Sequence, residues 1–276
     1  MRKQILIAAI FITALTAFAQ NPPAYKAPRL KGTNSPDLNG LWQSLNEANW
    51  DIQPHAAQPG PAQFGALFAE PAGAGIVEGN ELPYQPWALE ERNRRRDDAN
   101  GYEDQVGHCE FYDVGRIHSF TQEYRFSGNT FIINANQHIT RIVPMDRKQH
   151  LPPGIRLWLG DPIGHWEGDT LVVDSTNFND KPRMSLGGDF HGADAHIVER
   201  FQMPDANTIK WTMTIDNPKV FTRPWTMTSP ALMKRLQPAA DFDIEDTCHE
   251  GNVDLVHLKN TYEKAHGPSW PPKIVR

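Results

Sequence analysis

A mainly β protein built from antiparallel strands is what this sequence predicts, on three observations. Short runs alternating apolar and polar residues recur after residue 111, the period-2 pattern of half-buried strands. Gly128-Asn129 and Gly168-Asp169 interrupt two of these runs, as two-residue hairpin turns do. No helical pattern of useful length separates one run from the next, which argues against parallel strands joined by crossover helices.

In chain order, the opening stretch MRKQILIAAIFITALTAFAQ places Arg2 and Lys3 before an apolar run from Ile5 to Ala17 and the small-residue site Ala17-Phe18-Ala19. This is the pattern of a secretory leader cleaved after Ala19. A membrane anchor needs an apolar run of about 20 residues, longer than this one, and no second such run follows. No cysteine follows the cleavage point to accept a lipid. The expected location is periplasmic or secreted, with no membrane attachment once residues 1–19 are removed.

The remaining roughly 257 residues suit one domain spanning 20–276: a strap with a first strand and a helix over 20–110, then a barrel body over 111–276. With 20 Gly, 23 Pro and a mean hydropathy of −0.55, loops are long and the core must come from concentrated aromatics, among them eight Trp. The net charge of −6 offers nothing to a nucleic acid or an anionic membrane surface. Two cysteines, Cys109 and Cys248, lack metal-site spacing. In an oxidising compartment they are expected to bridge, closing a loop of about 140 residues worth up to ~5 kcal/mol in the loop-entropy account; two free thiols are the alternative.

DLNGLWQS, Asp37 to Ser44, reads as the first strand. From Asn46 to Pro83 the chain is rich in Pro, Gly and Ala without a sustained period, an irregular strap or lid. QPWALEERNRRRDDAN is the clearest helix, with Pro86 suited to the first helical position and Arg92 to Arg96 toward the C-terminal end; the arginines read as a solvated face. YRFSGNTFII and IGHWEGDTLVVDS are hairpins. HIVERFQM, TIKWTMTID and VFTRPWTMTS form a meander, and a short helix is expected around Val253 to Lys264.

Matching the apolar faces of the meander sets its register, because a one-residue slip turns a strand inside out. Ile209, Trp211, Met213 and Ile215 form one face, and Ile197, Glu199, Phe201 and Met203 another. Pairing Met203 with Ile209 sets Phe201 beside Trp211, Glu199 beside Met213 and Ile197 beside Ile215. Pairing Ile215 with Phe221 then sets Met213 beside Arg223 and Trp211 beside Trp225. Glu199 and Arg223 fall in one inward row, with Cβ atoms about 10 Å apart at the usual strand spacing. Pro224, which cannot donate to a ladder, is the weak point of that register.

A carboxylate and a guanidinium facing a barrel interior are either a buried ion pair or a small-molecule site walled by Phe201, Trp211, Met213 and Trp225. In the second case Glu199 moves a proton and Arg223 holds a carboxylate or a developing enolate, assisted by His191 from the loop GGDFHGADA at the barrel mouth. Asn177 and Asp180, in STNFND, are candidate polar contacts, although turn capping explains them equally well. His191, His196 and Glu199 superficially suggest a metal site, but His196 lies on the opposite strand face from Glu199. No phosphate loop, nucleophile elbow, HExxH or paired-Asp glycosidase signature occurs, so neither a metal nor a cofactor is expected.

GIVEGNELPYQPWA, GHWEGDTLVVDSTNFND, HIVERF and DNPKVFTRPW together resemble a widespread family of secreted bacterial proteins. That resemblance covers most of the chain after the leader and brings no activity or catalytic residue with it. After Cys109 the family usually shows a Pro/Gly-rich run ending in Pro-Arg, whereas this chain has CEFYDVGRIHSF. More remotely, Gly40-Leu41-Trp42 before a set of antiparallel strands is similar to the opening of lipocalin-like (calycin-type) barrels; together with the strap and helices read above, the expected fold is such a barrel with an N-terminal irregular strap and one or two short helices. Such barrels include carriers and metal-free lyases or cyclases. The sequence therefore supports three functions: cofactor-free lyase, hydratase or isomerase chemistry on a small molecule, non-catalytic binding of a small ligand, or an interaction protein with a filled barrel.

Overall fold

The structure, a computed structural model, describes residues 25–59, 69–97, 104–136, 139–228 and 232–236, with isolated positions 256, 259, 260, 263 and 264. The leader and Cys248 lie outside the described residues, as does most of the helix expected around Val253 to Lys264; Cys109 is disulfide-bonded.

Ten strands are described: β1 (Gly40–Ser44), β2 (Thr121–Ser127), β3 (Thr130–Ala135), β4 (Ile139–Pro144), β5 (Asp161–Glu167), β6 (Thr170–Thr176), β7 (His196–Asp205), β8 (Thr208–Asp216), β9 (Trp225–Met227) and β10 (Leu232–Arg235). They pair antiparallel in the order β4-β3-β2-β1-β10-β8-β7-β6-β5, with β9 attached to β8. Both hairpins turn where the glycines placed them, with Ser127 opposite Thr130 and Glu167 opposite Thr170. The two ends of the path, β4 and β5, curl round to meet. A Cβ on Gly164 would lie 2.3 Å from Met145 Sδ and 3.0 Å from Val143 Cγ1, so the absent side chain is what lets the ends approach. The result is a nearly closed antiparallel barrel of lipocalin-like form, and its seam is the β4–β5 junction.

The register of the central hairpin is the expected one: Phe201 opposes Trp211, Glu199 opposes Met213 and Ile197 opposes Ile215. Inward faces carry the core, which the fully buried rings of Trp42, Tyr124, Phe131, Phe201 and Trp211 dominate. Burying each such side chain is worth about 1.5–3 kcal/mol. The next pairing differs from expectation. Ile215 opposes Trp225 and Met213 opposes Met227, so the connection from β8 is four residues longer at its far end than the alternation suggested. Asn217 explains this: its carbonyl accepts from the N–H groups of Val220 and Phe221, forming a turn, and Phe221 bridges to Tyr84 of the strap instead of joining the ladder. β9 and β10 then divide one edge of β8 between them.

Up to residue 85 the described residues of the strap hold β1, the single turn Glu78–Asn80 and short bridges such as His55 with Gly73 and Val77 with Met227. Helix α1 (Pro86–Asp97) begins at the predicted proline. Its arginines are not a solvated face. Arg92 is buried between Asp51 (2.8 Å) and Asp189 (3.2 Å), Arg96 also pairs with Asp51, and the Arg95 guanidinium lies 4.2 Å over the Phe190 ring. A helix with few apolar residues on its packed side docks through charge pairs, a pattern that hydrophobic periodicity cannot reveal.

Gly188 makes that docking close. Its φ is +87°, and a Cβ there would lie 2.5 Å from Arg92 O and 2.7 Å from Arg96 N. Gly188→Ala is expected to cost ~1–3 kcal/mol through left-handed strain and collision with the helix backbone. Gly168→Ala, at an open hairpin tip with the same φ sign but no neighbour within 4 Å, should cost no more than ~1 kcal/mol. Urea midpoints of the two variants check this, and equal losses would mean that α1 does not press on Gly188.

Candidate functional site

The barrel interior holds a buried polar network centred on Glu199 of β7, which has no exposed surface. Glu199 Oε2 accepts from Arg141 Nη1 of β4 at 2.5 Å, while Oε1 lies 2.9 Å from His118 Nε2 and accepts from Trp211 Nε1 of β8 at 3.3 Å. Arg141 Nη2 donates to Ser175 Oγ of β6 at 2.9 Å. His118 sits on the single turn Arg116–Ser119, with Tyr124 Oη 3.2 Å and Gln122 Oε1 2.7 Å from its Nδ1. The rings of Tyr124, Phe201 and Trp211 surround it. Burial alone would push the Glu199 carboxyl up. The Arg141 charge and the His118 hydrogen bond outweigh it and hold the group below the usual carboxylate range. Burial and the neighbouring Glu199 charge push the Tyr124 hydroxyl well up.

This arrangement crosses the seam. Arg141 starts on the last strand at one end of the sheet path and bonds to β6 and β7 near the other, so the ion pair ties together ends that no described ladder joins. Chemically the carboxylate is the saturated member: Glu199 accepts from three directions, which leaves an ionised group with no proton to give and lowered basicity.

The other side of Arg141 meets an open cleft of about 400 Å³ along the seam, within the size range of small-molecule sites. Its walls come from β4, the start of β5, Phe111 and the loop between β4 and β5. Phe111 (39 %), Ile142 (59 %) and Leu157 (38 %) line it and are among the few large apolar side chains left exposed in the described residues. Trp158 meets Phe111 edge-on at 6.0 Å. The loop is held firmly: Asp161 accepts from Arg147 and, at 2.7 Å, from Leu151 N, and His150 Nδ1 lies 3.2 Å from it.

Each residue singled out from the sequence has a definite place. Glu199, Phe201, Trp211 and Met213 are inward and buried. Arg223 is not with them. It is exposed, and among the described residues its guanidinium reaches only Pro224 O, at 3.4 Å. The turn at Asn217 and Pro224 keep residues 222–224 out of the ladder, which breaks the expected Glu199–Arg223 row. Trp225 is buried, but against Phe221 (5.4 Å between ring centres). His191 is not at a mouth: it is buried, with Nε2 2.8 Å from Asp113 Oδ2 and Nδ1 2.9 Å from Gly192 O. Asn177 adopts a left-handed turn conformation and its amide donates to Leu151 O (2.9 Å) and Pro152 O (3.2 Å), so it supports the cleft loop. Asp180 is in the same kind of conformation. His196 points outward to Asp174 at 2.9 Å, and no three potential metal ligands converge among the described residues.

Two central residues, Arg141 and His118, escaped the sequence reading. Arg141 carries a signal: in ITRIVP it shares a strand face with Ile139 and Val143, a guanidinium in an apolar row, as the expected register also makes Arg223. His118 lies on a single turn with no period to betray it.

No protein-family model matches this chain, and no curated protein matches it. The site therefore has to be read from its own chemistry.

Proposed function

We propose that this is an exported barrel protein that binds a small, largely apolar molecule in the seam cleft, acting in the periplasm or outside the cell. The observation that carries the reading is that Phe111, Ile142 and Leu157, all exposed, line one cavity of ligand size. Scattered exposed apolar residues need no explanation, but a concave cluster of them does. The leader-like residues 1–19 and the resemblance to secreted bacterial proteins support export. Binding is preferred to lyase or isomerase chemistry because Glu199 keeps three partners and has no exposed surface. Aromatic packing around His118 fills the interior near it, which moves the ligand from the barrel centre to the seam.

The test uses a neutral probe, N-phenyl-1-naphthylamine, whose fluorescence rises in apolar surroundings. The protein should enhance it saturably, and Ile142→Glu should weaken binding at least about tenfold by placing a charge on an apolar contact. Leu45→Glu, at an exposed residue outside the cleft, should leave it unchanged. Equal binding by Ile142→Glu and the unaltered protein would place the ligand elsewhere or remove the reading.

A further inference from the structure

We infer that the molecule bound in the seam cleft is an amphipathic anion, an apolar body carrying one acid group; this rests on the binding reading above. Four observations about the polar groups at the cleft point the same way.

Asp161 is the carboxylate among the cleft's lining residues, and its side chain is only 3 % exposed. With Arg147, His150 and Leu151 N already on it, it has little to offer a cationic ligand. Arg147, in contrast, is 30 % exposed. Its Nη2 serves Asp161 and Pro162 O, while Nη1 has no partner among the described residues. Third, the Nε atoms of both Arg141 and Arg147 are buried without an acceptor. A guanidinium offers five donors and no acceptor, so neither side chain brings an acceptor to the cleft, and with both Nε atoms closed off the donors open to a ligand are those of Arg147 Nη1. Fourth, Lys181 places its Nζ 4.9 Å over the ring of Trp158, a residue of the cleft lining, so a further cation stands one ring away from the cleft.

The polar surplus is thus donor-rich and positive, and the walls are apolar. A cation would meet Arg147 and Lys181 with no open carboxylate. A sugar would find donors but few acceptors for its hydroxyls. A molecule with an aromatic or aliphatic body and a single carboxylate, or a comparable oxyacid, fits both halves: its body covers Phe111, Ile142 and Trp158, and its oxygens take the free donors of Arg147, where charge-assisted bonds are the strong ones.

Calorimetric titration of the full protein with three compounds of one shape tests this: 2-naphthoate, neutral 2-naphthylmethanol and cationic 2-naphthylmethylammonium. The acid should bind at least about tenfold more tightly than the alcohol at low salt, and the ammonium most weakly, with the preference shrinking as ionic strength rises. Arg147→Met and Lys181→Met should each reduce the ratio of the acid's affinity to the alcohol's, and Lys181→Met, which holds no part of the cleft loop, should leave the alcohol's affinity in place. Equal affinity of acid and alcohol, with both lost in Ile142→Glu, would overturn the anion preference while the cleft remained the site. Failure of all three to bind would remove the cleft reading and the anion preference together. An acid preference unmoved by all three substitutions would put the anion site elsewhere and overturn the inference.

Discussion

Glu199→Gln is expected to lower folding stability by about 3–5 kcal/mol and to loosen the barrel seam. The substitution keeps the shape of the side chain but strips the charge opposite Arg141, whose side chain is 1 % exposed and cannot turn to water without moving β4. A buried guanidinium without its carboxylate is the costly species, more so than the loss of any one hydrogen bond. The double variant Glu199→Gln with Arg141→Met should therefore recover a large part of the loss. Urea unfolding followed by tryptophan fluorescence gives the stabilities, and amide exchange should show β4 losing protection before β7 and β8. The Glu199 carboxyl lies below its usual range in the folded protein, so its contribution is present above the unfolded value of about 4.3 and is lost as pH falls through the folded value. The unaltered protein and Glu199→Gln should converge in stability on acidification. Asp161, which is lowered too, titrates in both proteins and leaves the difference intact. A Glu199→Gln protein within about 1 kcal/mol of the original at neutral pH would mean that the ion pair does not hold the seam.

The same ion pair shows what the sequence could and could not reveal. Residues 197–215 were legible because two strongly alternating strands share a short loop, and only one register buries Trp211 and Phe201 together. That logic correctly turned Glu199 inward and demanded a buried cation. Local pattern then supplies the cation from the next apparent strand in the chain, Arg223, because alternation around Phe221 and Trp225 looks like a strand. Both residues are buried, but for different reasons: Phe221 packs 5.0 Å from Tyr84 of the strap, while Trp225 begins β9. The true cation comes from β4, more than fifty residues away in sequence, across a closure that local pattern does not encode. Barrel closure is a property of the whole sheet, so a partner across the seam is the contact that strand-by-strand pairing misses. The cleft was invisible for a related reason. Its exposed Ile142 and Leu157 look like any surface apolar residues until the seam brings β4 and the β4–β5 loop together.

Asp113→Asn is expected to be the second large loss, several kcal/mol at pH 6, and its size should depend on pH. His191 is buried, so burial alone would depress its pKa. The Asp113 charge and hydrogen bond and the Gly192 carbonyl outweigh that and raise it. A histidine raised in the folded state contributes stability that is fully present below the unfolded value of about 6.5 and is lost as pH rises through the folded value. Asp113→Asn removes the charge that favours the imidazolium, so the gap between the two proteins should be widest near pH 6 and narrow toward pH 9. It should not vanish, because a neutral His191 can still donate to Asp113. The pair joins the segment before His118 to the loop before β7, so loosening it should also disturb the turn that sets His118 against Glu199. Comparing urea midpoints of the two proteins at about pH 6, 7.5 and 9 reads the effect directly. A gap that stays constant over that range would show that His191 carries no extra proton in the folded protein, and the pair would then be an ordinary hydrogen bond between two loops.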